Sequence, residues 1–308
     1  MKKPSENLMI LLAFFAIYVI WGSTYMLNKV AVAEIPPFRL ASIRFVSAGI
    51  TIFIIARLLG KSLHITKKQF LNTIIAGFLF LTFGNGVVVW ALKYVDSGFA
   101  ALEISAQPLI VLILMRMIDG KKIQAMSVLG VILGMIGMYL LVSQQHIISK
   151  EGTVAGIIMI FFCMISWGYG SIFVSKADLP SNYFVNTGFQ MLMGGLMLFI
   201  ASLLFGEPFS SPSDWALKTN LAMLALIFLG SIVAFTSFNY LLKKVSPEKV
   251  ATSTYVNPII ALALGWYLLN EEVTGQSILA AIVLLTGVYF INTSKRLTRK
   301  TRVIKKPV

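Results

Sequence analysis

Residues Ser97 to Arg116 read Ser-Gly-Phe-Ala-Ala-Leu-Glu-Ile-Ser-Ala-Gln-Pro-Leu-Ile-Val-Leu-Ile-Leu-Met-Arg. The run is long enough to cross a bilayer, which takes ~20 apolar residues in a helix. Yet it holds Glu103, Gln107 and Pro108. An ionised carboxylate in hydrocarbon costs several kcal/mol, and a proline removes a backbone donor and frees a carbonyl. Such a segment is tolerable where it faces a protein interior or a water-filled cavity. Near residue 258 the chain returns to the theme, as Val-Ala-Thr-Ser-Thr-Tyr-Val-Asn-Pro-Ile-Ile-Ala-Leu around Pro258.

Working outward from these two stretches, the whole chain has the same character. It has 308 residues, 57% of them hydrophobic and only 12% charged, with a mean hydropathy of +0.84. A soluble domain carries about twice that charge. Ten apolar spans can be drawn, near residues 9–28, 38–58, 70–92, 97–116, 125–143, 153–173, 184–205, 219–242, 247–268 and 275–292. The first is too long for the ~7–15-residue core of a secretion signal and reads as a transmembrane helix. The net charge of +14 is scattered over loops, which argues against nucleic-acid binding. With a cytoplasmic N-terminus, 20 of the 26 basic residues fall on the inner side, as the positive-inside rule expects. The tail from residue 294 to 308 is basic and suits anionic lipid headgroups.

The chain is also duplicated. Aligned without gaps at an offset of 150, residues 92–139 match 242–289 at 13 of 48 positions, among them Pro108/Pro258, Gly137/Gly287 and Tyr139/Tyr289. At an offset of 146, Trp21-Gly22 falls on Trp167-Gly168. Two five-helix repeats follow, residues 1–143 and 144–293. Five is odd, so the second repeat enters the membrane inverted. Loop charges agree: Lys121-Lys122 aligns with Glu271-Glu272, and the basic second loop corresponds to a seventh carrying Glu207 and Asp214. Inverted repeats are a recurring plan of transporters, with the substrate site at their interface near mid-membrane. The expected fold is all-α, ten transmembrane helices as two inverted five-helix repeats around a central cavity.

These residues resemble the drug/metabolite transporter superfamily, in particular its EamA-type ten-helix carriers, over about residues 8–293. The likeness rests on Trp21-Gly22, Arg44, Pro108, the glycines Gly130, Gly134 and Gly137, then Trp167-Gly168, Pro258, Glu271 or Glu272, and Gly287. It implies a plasma-membrane carrier, often an exporter of amino acids or other small metabolites. Its cavity would be walled mainly by helices one, three, four, six, eight and nine. Two departures break the paired pattern: Gln190 stands near where a second arginine would mirror Arg44, and the fourth loop reads Asp119-Gly120-Lys121-Lys122.

Depth ranks the candidate site residues. Trp21, Arg44, Asn85 and Glu103 all lie ~9–11 Å inside the outer ends of their helices at 1.5 Å per residue. Glu103 and Arg44 are expected to pair there, with Glu103 either binding substrate or a coupling proton, or clamping the fold with Arg44. The corresponding inner layer, Trp167, Gln190, Thr236 and Ser253, is uncharged. Trp21 and Trp167, each followed by glycine, line the cavity or pack. Gln107, Tyr255 and Asn257 flank the two helix-breaking prolines, placed either to meet a polar substrate or to bond between helices. Asn239 and Tyr240 are weaker candidates. The glycines of the fifth helix form a face for close packing.

Several chemistries find no support. Cys163 is the single cysteine and can close no intramolecular disulfide. His64 and His146 lie in separate loops, so no metal site is expected, and no cofactor. Ile55 stands where a phosphate-binding loop before Gly60-Lys61-Ser62 needs its first glycine. No nucleophile elbow is present, and Glu271-Glu272 lack a companion histidine for lipid chemistry. The expectation is a carrier, not an enzyme: a secondary transporter of small metabolites in the plasma or inner membrane, with both termini cytoplasmic, as monomer or homodimer. Its partners are a small-molecule substrate and the bilayer. The alternatives are an uncoupled facilitator or importer, or a scaffold that transports nothing.

Overall fold

The computed structural model describes residues 5–91, 94, 103–120, 122–143, 152–269 and 274–304. Among them all regular structure is helical. The main helices are α1 (Glu6–Val32), α2 (Pro37–Leu58), α3 (Lys67–Ala91), α4 (Gln107–Asp119), α5 (Ala125–Val142), α6 (Thr153–Lys176), α7 (Tyr183–Leu204), α8 (Leu217–Lys244), α9 (Ser253–Leu269) and α10 (Gly275–Ile304). Seven carry a stretch long and apolar enough to cross a membrane: α1, α2, α3, α6, α7, α8 and α10. α5 contributes a shorter apolar helix, Ala125–Leu140.

Local chemistry sets the helix ends. The Ser5 hydroxyl accepts from Leu8 N to open α1. Thr66 and Gln69 form a reciprocal capping box at α3. The Asn182 side chain accepts from Phe184 N and Val185 N at the start of α7. Gly120, with φ of 62°, ends α4 in the left-handed conformation that glycine adopts without strain.

The described part of the Ser97–Arg116 stretch, residues 103–116, is not one continuous helix. Glu103 and Ile104 form a short helical piece, a turn follows at Ser105-Ala106, and α4 begins at Gln107 with Pro108 in its first turn. Proline is welcome there, because the N–H it lacks has no intrahelical partner. The break expected at Pro108 therefore precedes it. Pro258 does lie inside its helix, α9. Residues 97–102, and the acidic loop Glu271-Glu272, lie outside the described residues.

Burial is inverted relative to a soluble protein. Leu58 and Leu204 are each 81% exposed, while Thr187, Gln190 and Asn239 are fully buried. In a bilayer the apolar side chains meet lipid and the polar ones must find partners inside.

The packing repeats across the halves. α1 lies along α9 as α6 lies along α4; α3 meets α6 and α7 as α8 meets α1 and α2; α2 pairs with α7 and α5 with α10. Each pair joins one repeat to the other, so the repeats interleave and share one interior. Where α5 meets α10, a Cβ on Gly130 would stand 2.7 Å from Gly287 O, and one on Gly287 2.6 Å from Gly130 O. Only glycine permits that approach.

Beside this contact, Tyr255 is fully buried among Leu112, Val131, Met138, Leu284 and Ile291. Its ring abuts Gly134, where a Cβ would come within 2.6 Å of two ring atoms. Tyr255 thus belongs to this packing core in the conformation described. Its hydroxyl has no partner among the described residues. Gly134→Ala should lower the unfolding midpoint by about 5 °C, since overpacking costs ~1–3 kcal/mol and each kcal/mol moves a large domain's midpoint ~2–4 °C. Tyr255→Phe should fold at least as well as the parent. A thermal melt of the purified variants checks both.

Candidate functional site

Trp21 and Trp167 meet at the centre of the fold. Their ring centroids are 6.2 Å apart at 77°, edge to face. Phe80 from α3 and Phe238 from α8 surround them: Phe80 lies 5.0 Å from Trp167, and Phe238 lies 5.2 Å from Trp21 and 5.7 Å from Trp167. Phe235 closes the cluster, 5.9 Å from Phe80 and 5.8 Å from Phe238. The three phenylalanines are buried and the two tryptophans half-buried.

The tryptophan–glycine pairs have a geometric reason. At Gly22 a Cβ would stand 2.6 Å from Ile260 of α9, and at Gly168 it would stand 3.0 Å from Leu114 of α4 and 3.2 Å from Gln107 Nε2. The glycine lets the proline-bearing helix approach while the preceding indole turns to the centre. The same contact is then tied by an amide. Gln107 Nε2 donates to Met164 O of α6 at 3.1 Å. With its amide oriented to satisfy its neighbours, Asn257 donates to Ile17 O at 3.2 Å and Tyr18 O at 3.1 Å on α1, and to Ser253 O at 3.0 Å. Met164 and Tyr18 are repeat-equivalent positions, three residues before each tryptophan. Gln107 and Asn257 are therefore helix-to-helix ties in this conformation.

α3 and α8 each change winding where they pass the tryptophans. Phe78–Gly86 and Leu226–Phe235 are π-helical, a wider winding often found at functional sites. Side chains of α1 and α6 reach the displaced carbonyls. Trp21 Nε1 donates to Gly230 O at 3.2 Å, Ser166 Oγ to Leu79 O at 2.8 Å, and Cys163 Sγ to Phe83 O at 3.5 Å. Trp167 lies against Gly84, whose added Cβ would stand 3.0 Å from Cε3 of the indole. Asn85 sits half-buried beside it, with no side-chain hydrogen bond among the described residues.

The ion pair expected between Glu103 and Arg44 is absent. Arg44 turns to α8: Nε donates to Ser231 Oγ at 2.8 Å and the guanidinium lies 5.0 Å from the Phe45 ring centroid. Among the described residues no carboxylate pairs with it. Glu103 is half-buried, and its Oε2 has no hydrogen-bond partner among the described residues. An expected common depth does not set the direction in which helices turn their side chains, and Arg44 turns to α8.

The two ends of the bundle are closed differently. On the side away from the termini, Glu207 accepts from Phe38 N at 3.0 Å and Arg39 N at 2.7 Å, capping α2 with an acid from the other repeat. Arg39 donates to Ser202 Oγ and to Glu207 O. On the terminal side Lys176 pairs with Asp119, and Lys244 with Glu6 at 2.8 Å.

Comparison with known proteins agrees with this duplicated helical plan. The EamA-like transporter family matches twice, over residues 8–143 and 154–293. The chain belongs to the EamA-like transporter family. It is 34% identical over 287 residues to the "Uncharacterized inner membrane transporter YedA" of Escherichia coli K12, covering 92% of this chain and 91% of that one. It is 26% identical over 288 residues to an E. coli K12 protein named "Probable amino-acid metabolite efflux pump", covering 89% and 91%. A solved crystal structure superposes with a TM-score of 0.78 over 95% of this chain and 99% of its own, at 19% identity, which shows a shared fold.

This EamA-like transporter is thus a membrane protein. Its central residues missing from the sequence reading are Phe80, Phe235, Phe238 and Gly230. Phenylalanine is common in any apolar span, and the chain has 22 of them; only Gly230, repeat-equivalent to Gly84, carried a signal. Gln107→Leu and Asn257→Leu should each lower the unfolding midpoint by a few degrees, because a lost hydrogen bond costs about 1 kcal/mol and strands a buried carbonyl. Gln107→Asn, too short to reach Met164, should behave like Gln107→Leu in the same melt.

Proposed function

We propose that this protein is a secondary transporter that carries small amphiphilic metabolites, amino acids or their relatives, outward across the plasma or inner membrane by alternating access. The observation that carries this reading is the Trp21–Trp167 contact at the repeat interface, flanked by two π-helical segments. An aromatic centre offers apolar faces and few hydrogen bonds, which suits an amphiphile that must be released again. The E. coli relative named for amino-acid metabolite efflux supports the substrate class. With both termini in the cytoplasm, the second repeat, residues 144–293, runs inverted relative to the first, residues 1–143.

Glu103 is the coupling residue of this reading. It is an acid on the segment preceding α4, and its Oε2 is buried without a donor, so a transported proton has an atom to reside on. Asn85 and Arg44 supply polar contacts to the substrate from α3 and α2. An uncoupled facilitator is the second reading, favoured by the absence of any ion pair to Glu103 among the described residues.

Proteoliposomes loaded with a metabolite mixture test both. Release of one chemical class, followed by mass spectrometry, should accelerate when protons can enter in exchange. Glu103→Gln should remove that acceleration and leave gradient-free release within about twofold of the parent. Trp21→Ala should lower release about tenfold, the loss expected for ~1.4 kcal/mol of binding at the barrier. Release that is equally fast without a gradient makes the protein a facilitator. No release above empty liposomes from folded protein, for every class in the mixture, removes the transport reading.

A further inference from the structure

Among the described residues four buried side-chain atoms on α7 and α8 have no hydrogen-bond partner: Gln190 Oε1, Thr219 Oγ1, Thr236 Oγ1 and Asn239 Oδ1. Thr219 stands in the first turn of α8, far along the helix from the other two α8 positions. Gln190 and Asn239 are fully buried. Their amide orientations are fixed by the opposite ends of the groups. Gln190 Nε2 donates to Asn186 Oδ1 at 2.9 Å, and Asn239 Nδ2 donates to Thr187 Oγ1 at 3.3 Å and Phe235 O at 3.2 Å. The carbonyl oxygens are therefore left for something else. Thr236 is unusual in the same way. Thr51, Thr286 and Thr293 donate to the carbonyl four residues back, but the residue four before Thr236 lies in the π-helical segment, and its hydroxyl makes no bond.

Helix periodicity places Gln190, Thr236 and Asn239 on facing sides of α7 and α8. The Thr187–Asn239 bond shows which faces of α7 and α8 meet. Gln190 stands one turn beyond Thr187 on that face of α7, and Thr236 one turn before Asn239 on that face of α8, so the pair lie level, one turn deeper into the membrane. A buried polar atom without a partner costs about 1–3 kcal/mol, and three on facing sides of two neighbouring helices suit an occupant that donates. No acid occurs along α2, α3, α6, α7 or α8, which excludes a site built for a divalent cation. A primary ammonium presents three N–H donors and one charge, matching three neutral acceptors.

We propose that Gln190, Thr236 and Asn239 form a subsite for the primary ammonium group of the transported substrate. This assignment rests on the transport reading above and narrows it to amine-bearing metabolites. The subsite lies in the second repeat at the position where the first repeat carries Arg44, so one half offers acceptors where the other offers donors. It lies towards the end of the bundle that holds both termini, where an exported substrate first enters.

The test is a thermal melt of purified protein in nanodiscs at fixed ionic strength. Ethylammonium chloride is titrated against tetramethylammonium chloride, which has the charge without N–H donors, and against sodium chloride. Ethylammonium alone should raise the midpoint saturably. Thr236→Val, which removes only the unbonded hydroxyl, should raise the half-saturating concentration about fivefold, and Gln190→Glu, which adds a counter-charge, should lower it about tenfold. Equal shifts with all three salts, a shift with sodium alone, no shift at all, or an ethylammonium shift unchanged in both variants each overturn the assignment. Binding is read here without flux. Ammonium binding with no release from proteoliposomes sinks the transport reading and leaves the subsite, while release without ammonium binding does the reverse.

Discussion

A backbone carbonyl inside a bilayer must find a donor within the protein, and in this molecule that need decides where the polar side chains go. Gln107, Asn257, Trp21, Ser166 and Cys163 each spend a donor on a carbonyl of another helix. In each case the carbonyl belongs to the other repeat. The two halves are joined by side chains that satisfy each other's main chain, not by ion pairs. A bond of this kind is directional but of modest strength, about 1 kcal/mol net. It can hold two helices in register and still be exchanged when they shift.

That accounting separates the two kinds of polar residue at the centre. Those already bonded to carbonyls are scaffold in this conformation, whatever they do in another. Among the described residues those left over include Asn85, Glu103 Oε2, the Arg44 guanidinium beyond its Ser231 bond, and Gln190, Thr236 and Asn239 on α7 and α8. Arg44, Asn85 and Glu103 belong to the first repeat and the α7 and α8 acceptors to the second, with the aromatic cluster of Trp21 and Trp167 at the contact of the two. Polar groups on either side of an aromatic centre describe a path with stations, and no single rigid pocket is needed to connect them.

Much of the plan was legible from residues alone. Apolar periodicity and length found the helices, because hydrocarbon permits little else. The duplication was legible in the spacing of Trp21-Gly22 and Trp167-Gly168, since those glycines mark a close contact that side chains elsewhere cannot imitate. Three things were not legible. Pro108 reads as a break inside a span, whereas it begins a helix whose preceding turn already made the break. Glu103 and Arg44 share a depth, but the rotation of a helix about its axis depends on all its neighbours together. Tyr255 flanks a proline in a polar-looking stretch, yet its ring fills the space that Gly134 vacates.

The asymmetry between the two ends bears on how such a structure could alternate. The end away from the termini is held by Glu207 bonded to two backbone N–H groups of α2 and by a buried Arg39. These are charge-assisted bonds with the acid and its donors fixed on backbone, and opening there breaks several at once. The terminal end is held by the Lys244–Glu6 pair, solvent-facing and so contributing ~0–1 kcal/mol, and by Lys176–Asp119, whose aspartate is largely shielded. The Gln107 and Asn257 ties cross between repeats close to the tryptophans, so separation at either end can proceed without breaking the centre. Rocking of the interleaved halves about the Trp21–Trp167 contact is the motion that leaves the largest share of these bonds intact.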